Sequence, residues 1–323
     1  MKITILGGGG FLGRKLAQRL AAEGSLGGTP VTGLILFDLA VPPPLEAPFP
    51  VTCLAGDVAS VADVSGAIPD GTEVVVHLAA VVSAAAEADF DLGMRVNLHG
   101  TLAVIEACRK LSAPPRVLFT SSVASFGGGQ SALLPDDARQ VPGNSYGAQK
   151  AAAELLLADA SRRGMLDLVS IRLPTVIVRP GRPNKAASSF FSAILREPLL
   201  GLETPLPVGD EFRVWVCSPR RAVDWLMHAA TMDTAPLGID RGVNPPGLAV
   251  SVGEMLAALT PSERALVKRE PDEVIAGIVG GWPAEFAATR AKKLGFAPQE
   301  GVPAILAAFR EDDLGATRAE RGM

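Results

Sequence analysis

An apolar segment near the start of the chain leads directly into a glycine-rich loop. Residues 2–6 read Lys-Ile-Thr-Ile-Leu, residues 7–13 read Gly-Gly-Gly-Gly-Phe-Leu-Gly, and a helical pattern follows at once. A strand, a glycine loop and a helix in this order allow the backbone to approach a pyrophosphate closely, with amide groups facing its negative charge. The sequence therefore predicts a dinucleotide-binding βαβ unit at the N-terminus. The residues predicted to contact the cofactor in this loop are Gly7, Gly10, Phe11, Leu12 and Gly13.

Short apolar segments alternate with longer helical segments through the first half of the chain. Strands are predicted at residues 2–6, 32–37, 51–55, 73–78, 116–120 and 168–172. Helices are predicted at residues 11–23, 61–68, 92–111 and 145–163. This alternation predicts the α/β class, with a Rossmann-type, doubly wound parallel sheet covered by helices on both faces.

The alternation ends after Arg172, where prolines become frequent and the segments become short. Further helices are predicted at residues 186–195, 220–231, 252–259, 273–278 and 302–309, and residues 315–323 are expected to form a frayed tail. We predict an NAD-binding Rossmann domain at 1–178 with a return segment near 212–245. Residues 179–211 and 246–323 are predicted to form a smaller substrate-binding lobe, since ligands of such sheets bind at the carboxyl ends of the strands.

Composition excludes several classes of protein. The 323 residues have a net charge of −4, and the basic residues form no stripe, so we expect no nucleic-acid partner. No apolar run approaches the roughly 18 residues that span a bilayer, and the N-terminus lacks a signal-peptide pattern, so we expect no membrane association. Three separated cysteines indicate reduced thiols and a cytoplasmic location. Three dispersed histidines predict no metal site.

Acidic and small residues follow the next three predicted strands. Asp38 ends the second strand, where a carboxylate can bind the adenine ribose hydroxyls and repel a 2′-phosphate, which favours NAD over NADP. Arg14 leaves NADP open, because a basic residue there could reach such a phosphate. Asp57 and Val58 follow the third strand and are expected near the adenine. After the fourth strand, the small residues expected to let the backbone pass the cofactor closely are Leu78, Ala79 and Ala80.

The only tyrosine of the chain lies four residues before a lysine. Tyr146 and Lys150 therefore share one face of the helix predicted at 145–163, about 5–6 Å apart at Cβ. In that position an ammonium can lower the pKa of a phenol, and lowering that pKa by one requires roughly 1.4 kcal/mol of added stabilisation of the phenolate. Such a pair is suited to proton transfer, although the four-residue spacing also occurs by chance on surface helices.

Two further segments complete a recognisable set. Residues 97–101 read Asn-Leu-His-Gly-Thr and residues 121–127 read Ser-Ser-Val-Ala-Ser-Phe-Gly. Together with the glycine loop and the Tyr146/Lys150 pair, they resemble the extended short-chain dehydrogenase/reductase superfamily, which includes NAD-dependent epimerases and dehydratases. The resemblance implies that Ser122 binds the substrate oxygen and Tyr146 accepts its proton. It implies that Lys150 lowers the pKa of the tyrosine and holds the nicotinamide ribose. Further cofactor contacts are expected from Asn97, Pro174 and Thr175.

Departures from the superfamily pattern concern the substrate. Members that act on nucleotide sugars usually carry Arg-x-x-Asn after the sixth strand, whereas Thr175 stands here in place of the asparagine. Residues 172–199 instead resemble the D-erythronate dehydrogenase family. The resemblance implies oxidation of the 2-hydroxyl of a sugar acid to 2-dehydro-D-erythronate with formation of NADH. The basic run from Arg179 suits a carboxylate, which an arginine fork binds bidentately. The residues predicted to contact substrate are Ser83, Ser122, Tyr146, Thr175, Arg179, Asn184 and Arg213.

Two other functions remain open at this point. One is a nucleotide-sugar epimerase or dehydratase with tightly bound NAD, and the other is a non-catalytic protein that senses dinucleotides. The helices predicted at 92–111 and 145–163 carry apolar residues on more than one face. Equivalent helices form a dimer interface in the superfamily, so the resemblance implies a homodimer.

Overall fold

The computed structural model describes residues 1–129, 133–182 and 187–323. The strands in chain order are β1 Lys2–Leu6, β2 Ser25–Leu26, β3 Thr29–Pro30, β4 Gly33–Asp38, β5 Val51–Ala55, β6 Val74–His77, β7 Arg116–Ser122, β8 Leu133–Leu134, β9 Asp167–Leu173, β10 Thr175–Val176, β11 Thr204–Leu206, β12 Arg213–Cys217, β13 Gly242–Val243, β14 Leu248–Ser251, β15 Val267–Arg269 and β16 Glu285–Phe286. The helices are α1 Phe11–Glu23, α2 Val61–Ala67, α3 Ser83–Ala88, α4 Phe90–Gly93, α5 Gly100–Cys108, α6 Ser145–Arg162, α7 Ser189–Leu199, α8 Pro219–Thr231, α9 Val252–Ala257, α10 Pro261–Arg264, α11 Glu273–Gly280, α12 Thr289–Lys293, α13 Val302–Asp312 and α14 Leu314–Glu320. Short 3-10 helices occupy Val123–Ser125 and Ala235–Leu237.

The chain divides into two compact units. The first consists of Met1–Ser125, Asn144–Arg172 and Val223–Val243, and the second of Phe126–Gly143, Leu173–Ala222 and Asn244–Met323. Residues 126–143 belong to the second unit, whereas the sequence-based boundaries assign them to the Rossmann domain. Within the described ranges, no helix is long and apolar enough to cross a membrane.

The first unit is built on a seven-stranded sheet in the order β13-β9-β7-β6-β1-β4-β5. The ladders of β1 with β4 and β6, of β4 with β5, of β6 with β7 and of β9 with β13 are parallel. The chain proceeds from β1 to one side through β4 and β5, then returns to the other side of β1 with β6. This reversal places a topological switch point between β1 and β6, which is where open α/β sheets bind ligands. The predicted Rossmann-type fold is confirmed.

The core of this unit fills the space between the sheet and helices α2, α5 and α6. The central strands contribute the fully buried Leu6, Val75 and Phe119, and the helices contribute Val104 and Leu157. Strands buried on both faces account for the continuous apolar runs in the sequence. A local signal also starts α2, where the Ser60 hydroxyl accepts a hydrogen bond from the amide of Asp63.

The predicted helix at 92–111 is wrong in one respect, because it is not continuous. It consists of α4, a π-helical segment at Met94–His99 and α5. The amide of Gly100 donates to the carbonyl oxygen of Arg95, five residues earlier, as in a π-helix. The interruption lies at Asn97 and therefore sets the direction of that side chain.

The described part of the second unit contains three small sheets, and one of its helices, α7, is buried along its whole length. Strands β10, β12 and β14 form one sheet, β11 pairs with β15, and β8 pairs with β16. Aromatic contacts support this unit: the Phe286 ring centroid lies 5.2 Å from that of Phe126 and 5.8 Å from that of Trp215. The predicted frayed tail at 315–323 is wrong, because residues 314–320 form α14 and Arg321 is hydrogen-bonded.

Candidate active site

The glycine loop at the end of β1 has no room for larger residues. Gly7 has a φ of 89°, and a Cβ placed there would lie 2.8 Å from the Ala79 amide nitrogen. A Cβ at Gly13 would overlap the carbonyl oxygen of Gly7. Gly10 caps the N-terminus of α1 without a side-chain bond, and Phe11 and Leu12 form the first turn. The loop thus presents bare backbone at a helix N-terminus, which is the arrangement that binds a pyrophosphate.

The half-buried carboxylate of Asp38 lies beside this loop. Its Oδ2 accepts a hydrogen bond from the Gly9 amide at 2.9 Å, and its Oδ1 accepts from the Leu39 amide at 2.8 Å. The Arg14 guanidinium points elsewhere, since it donates to the carbonyl oxygens of Pro43 and Pro44 at 2.6 and 3.3 Å. The charge next to the loop is therefore negative, which favours a cofactor without a 2′-phosphate.

The residues after β5 and β6 border the same region. Leu78 and Ala79 both donate their amides to the carbonyl oxygen of Leu6, which fixes them and the following Ala80 against the glycine loop. Val58 is buried. The Asp57 carboxylate has partners within the protein: it accepts a hydrogen bond from the Ala59 amide at 2.9 Å and forms an ion pair with Arg95.

Asn97 in the π-helical segment is bonded on every side. Its Oδ1 accepts from the Val81 amide at 2.8 Å, and its Nδ2 donates to the Val81 carbonyl oxygen at 3.0 Å and to Gln149 Oε1 at 2.8 Å. Gln149 lies on α6 immediately before Lys150. A Cβ at Gly93 would lie 2.5 Å from Gln149 Nε2, so the two helices meet through a glycine. Asn97 thus joins the loop after β6 to the helix that carries Tyr146 and Lys150.

A buried histidine supports this segment from the sheet side. His77 Nε2 lies 3.1 Å from Thr101 Oγ1, and Thr101 Oγ1 donates to the Asn97 carbonyl oxygen at 2.8 Å. Because the single hydroxyl hydrogen of Thr101 is used in that bond, His77 Nε2 must carry the donated hydrogen of the other. Burial, together with the smaller effect of the nearby Lys150 charge, lowers the pKa of His77 to about 3, so the ring is neutral.

Lys150 is buried among aromatic rings. Its Nζ lies 4.6 Å from the centroid of Phe119 and 5.8 Å from that of Tyr146, and only 1% of its surface is exposed. Burial lowers the pKa of Lys150 to about 7. Ring faces attract the charged form, which offsets part of the desolvation. Tyr146 and Lys150 therefore do occupy one helix face, with the ammonium protected from solvent.

The N-terminus of α6 is held in place ahead of Tyr146. Asn144 Oδ1 accepts from the Gly147 amide at 2.8 Å, and the Glu87 carboxylate accepts from the Ser145 amide at 2.8 Å. These two caps fix the first turn, in which Tyr146 lies. Ser83 begins the helix α3 that carries Glu87.

Ser122 ends β7, and the 3-10 turn that follows it packs against α6. Its Oγ accepts a hydrogen bond from the Ala124 amide at 3.1 Å, and its carbonyl oxygen accepts from the Ser125 hydroxyl at 2.7 Å. The neighbouring Ser121 is buried, and its Oγ has no partner among the described residues. Of the two serines, Ser122 is the more exposed.

The remaining predicted residues belong to the second unit. Pro174 and Thr175 are buried, and Thr175 pairs with Val216 in the β10–β12 ladder. Arg179 is half-buried and donates from Nε to the Val176 carbonyl oxygen at 3.1 Å. Arg213 begins β12 and lies 3.9 Å from the Glu254 carboxylate. Asn184 lies outside the described residues.

Residues that the sequence did not single out also shape the site. Gln149, Thr101, His77 and Phe119 each contact Asn97 or Lys150 directly or through one neighbour. Gln149 and Thr101 had a local signal, since Gln149 lies inside the Tyr-x-x-x-Lys run and Thr101 ends the segment 97–101. Among the described residues, no group of three or more histidine, cysteine, aspartate or glutamate side chains could hold a metal ion.

The residues present fit an NAD molecule. The glycine loop leaves a cradle that a Cβ would fill, Asp38 supplies the acceptor for ribose hydroxyls, and Lys150 supplies a buried cation. The sheet, the loop and this side-chain set define a dinucleotide-dependent enzyme of the extended short-chain type. Residues 3–219 match the NAD dependent epimerase/dehydratase family, and the chain belongs to that family. The prediction of NAD as cofactor is confirmed.

Individual relatives are similar over the full length. A D-erythronate dehydrogenase of Cupriavidus necator is 46% identical over 97% of this chain and 98% of its own. A D-erythronate dehydrogenase of Haemophilus influenzae is 39% identical over 97% of this chain and 100% of its own. Among solved structures, a nucleoside-diphosphate-sugar epimerase from Agrobacterium tumefaciens has a TM-score of 0.92 at 45% identity, over 98% of this chain and 95% of that one.

Proposed function

We propose that this protein is an NAD-dependent dehydrogenase that oxidises D-erythronate at its 2-hydroxyl to 2-dehydro-D-erythronate. The observation that carries the proposal is the 46% identity with a D-erythronate dehydrogenase over nearly the whole of both chains. The buried Lys150 beside Tyr146 supports it, because a proton-transfer pair is what oxidation of an alcohol requires.

Binding of the cofactor is assigned to the first unit. The backbone of Gly7, Gly10 and Gly13 holds the pyrophosphate, and Asp38 binds the adenine ribose. Lys150 holds the nicotinamide ribose. When bound there, NAD supplies the acceptor for the hydride that leaves the substrate carbon.

Ser122 orients the substrate. Its Oγ already accepts the Ala124 amide hydrogen, so its own hydrogen can be donated to the oxygen that reacts. Ser83 is assigned to the same substrate as a further hydrogen-bonding group. A substrate oxygen fixed in this way presents its proton to Tyr146 in one orientation, which is the main benefit of a positioned hydroxyl.

Tyr146 accepts the hydroxyl proton as the alcohol is oxidised. The phenolate that performs this step is stabilised by the positive charge of Lys150, whose ammonium lies 5.8 Å from the centre of its ring. Asn97 and Gln149 fix the position of α6, because their hydrogen bonds connect this helix to the loop after β6. General acid–base catalysis of this kind contributes about 10²–10⁴-fold to the rate.

Arg179 is assigned to the carboxylate of the acid. Its Nε bonds the Val176 carbonyl oxygen, which fixes the direction of the guanidinium. Arg213, Asn184 and Thr175 are assigned to the remaining oxygens. Arg172 takes no part, because it is buried in an ion pair with Glu154 and donates to it from Nε at 2.9 Å.

A second candidate is an epimerase of nucleotide sugars. The observation that favours it is the 45% identity with a structure described as a nucleoside-diphosphate-sugar epimerase. Thr175 counts against it, because it stands where such enzymes usually carry an asparagine.

A single assay separates the two. Purified protein is mixed with NAD and D-erythronate, and NADH is followed by its absorbance at neutral pH. Stoichiometric NADH with D-erythronate, and none with UDP-glucose, is the expected result. An epimerase would convert a nucleotide sugar without net formation of NADH, and that outcome would overturn the proposal. Tyr146→Phe serves as the matched inactive control.

We further propose a cytoplasmic homodimer. Leu155 and Leu156 on α6 are 68% and 41% exposed, and Leu102 on α5 is 39% exposed, so these helices present apolar side chains to solvent. Cys53, Cys108 and Cys217 are all free thiols, as in a reducing compartment. Leu155→Glu should convert a dimer to a monomer in sedimentation experiments.

A further inference from the structure

Arg321 follows the last turn of α14 and is bonded on two sides. Its Nη1 donates to Glu197 Oε2 at 2.5 Å. Its Nη2 donates to the carbonyl oxygen of Gly181 at 2.7 Å and to Glu197 Oε1 at 3.0 Å. The side chains of Arg321 and Glu197 are 10% and 5% exposed. The guanidinium of Arg321 bonds a carboxylate and a main-chain carbonyl oxygen at the same time. It therefore connects the end of α14 to the turn at Gly181.

A second arginine bonds the same carboxylate and the same segment. Arg196 is buried and donates from Nε to Glu197 Oε1 at 2.8 Å. Its Nη1 donates to the Arg179 carbonyl oxygen at 2.7 Å. Glu197 on α7 therefore orients two guanidinium groups, and each of them bonds one carbonyl oxygen of the segment 179–181.

The remaining main-chain bonds of this segment are consistent with a fixed position. The Arg179 amide donates to the Ser192 hydroxyl at 3.1 Å. Gly181 has a φ of 80°, a conformation that glycine adopts without strain, so the chain turns at the residue that Arg321 holds. Arg179 is consequently anchored through its amide and through its own carbonyl oxygen, and two residues later through Gly181.

We infer that Arg321 is a positioning residue for Arg179 and sets the affinity for the sugar acid. This inference rests on the proposed function, in which Arg179 binds the substrate carboxylate. The groups that Arg321 bonds, Glu197 and Gly181, are not among those assigned to NAD or to proton transfer. Loss of Arg321 should therefore weaken binding of the acid and leave the affinity for NAD unchanged, because the carboxylate-binding segment loses its bond at Gly181 and no group assigned to NAD loses a partner.

Steady-state kinetics test the inference with three variants. In Arg321→Ala the KM for D-erythronate is expected to rise about tenfold or more, with the KM for NAD and kcat within about twofold of the parent values. Arg321→Lys keeps the charge but loses the fork, so it should restore part of the affinity. Arg318→Ala is the matched control, since Arg318 lies on α14 but donates to the Leu199 carbonyl oxygen. Equal effects of Arg321→Ala and Arg318→Ala would overturn the inference.

Hydrogen exchange of the substrate-free protein separates this inference from the proposed function. The amides of Arg179, Gly181 and Arg182 should exchange faster in Arg321→Ala, or in Arg321→Lys if the alanine variant does not fold, than in Arg318→Ala. Unchanged exchange overturns the positioning role whatever the enzyme oxidises. Faster exchange in a protein whose parent does not oxidise D-erythronate would retain the connection to α14 and overturn the role in sugar-acid binding.

Discussion

The ammonium of Lys150 lies 4.6 Å from the centre of the Phe119 ring and 5.8 Å from the centre of the Tyr146 ring. The contact with Phe119 joins α6 to β7, the strand that ends in Ser122. The lysine thus occupies a position fixed by the sheet as well as by its own helix. Its charge is held at one distance from the tyrosine, which a solvent-exposed lysine with four rotatable bonds would not achieve.

Tyr146→Phe should remove turnover while leaving the protein folded and able to bind NAD. Loss of the phenolic oxygen eliminates the proton acceptor, so kcat for D-erythronate should fall by about 10²–10⁴-fold. The ring, and with it the contact to Lys150, is retained. NADH formation measures the first effect and quenching of protein fluorescence by NAD measures the second. Turnover within tenfold of the parent would rule out Tyr146 as the proton acceptor.

Lys150→Met should change how stability depends on pH. The pKa of Lys150 is lowered by burial to about 7, against 10.5 in the unfolded chain. Between these values the unfolded chain binds the additional proton, so the free energy of unfolding of the parent rises with pH. Below pH 7 the folded protein carries the buried charge at its full cost.

The methionine variant has no such titration. Relative to this variant, the free energy of unfolding of the parent should increase by on the order of 1 kcal/mol for each pH unit between about pH 7 and 10. Urea unfolding at several pH values measures this difference. Parallel stability curves for the two proteins would contradict the lowered pKa.

Gly13→Ala should destabilise the protein and weaken NAD binding. The added methyl group would overlap the Gly7 carbonyl oxygen, which forces the loop and α1 apart. Gly66→Ala is the matched control, because Gly66 lies in α2 with no atom within 4 Å of an added Cβ. That variant should gain about 0.5–1 kcal/mol from the helix propensity of alanine. Thermal unfolding with and without NAD distinguishes the two variants. Equal unfolding temperatures, and an equal increase with NAD, would argue against close packing of the loop.

Asp38→Asn should relax the preference for NAD over NADP. The asparagine oxygen can still accept from the Gly9 amide, so this contact with the loop is kept, while the negative charge and the acceptor of the Leu39 amide are lost. The ratio of kcat/KM for NAD to that for NADP should fall about tenfold or more, which corresponds to roughly 1.4 kcal/mol. Asp70→Asn is a suitable control, because its carboxylate bonds Ser112, away from the carboxyl ends of the strands. An unchanged ratio would remove Asp38 from cofactor selection.

The sequence predicted the elements whose signals are local. The glycine loop, the alternation of strands and helices and the Tyr146/Lys150 pair each lie within a short window, and the fold and family they indicate are confirmed. Partners distant in sequence were not predictable in this way. Asp57, in the loop after β5, pairs with Arg95, and Asn97 bonds Gln149, across 38 and 52 residues, because the fold brings these segments together.

The errors at the predicted tail and in the predicted helix at 92–111 have the same origin. Residues 315–323 are short of apolar side chains and resemble a tail, yet Arg321 bonds Glu197 on a distant helix. The helix predicted at 92–111 has a continuous pattern, yet it contains a π-helical segment that is bonded through Thr101 to a histidine on β6. In both segments the structure includes hydrogen bonds between residues that are distant in sequence. The periodicity of apolar residues does not indicate such bonds.

Thr101→Val should test whether this segment matters for catalysis. Valine preserves the shape but removes the donor to the Asn97 carbonyl oxygen and the acceptor of the His77 hydrogen. His77 Nδ1 already lacks a partner among the described residues, so the ring would be left without any hydrogen bond. The free energy of unfolding should fall by about 1–3 kcal/mol, the cost of unsatisfied buried groups. In Thr101→Ser, which keeps the hydroxyl, the free energy of unfolding should fall by less.

The same two variants test the effect on turnover. If the π-helical segment positions Asn97 against Gln149, and through Gln149 positions α6, kcat should decrease in the valine variant and recover in the serine variant at a temperature where both are folded. A valine variant with the parent kcat would confine the His77–Thr101 pair to a role in stability.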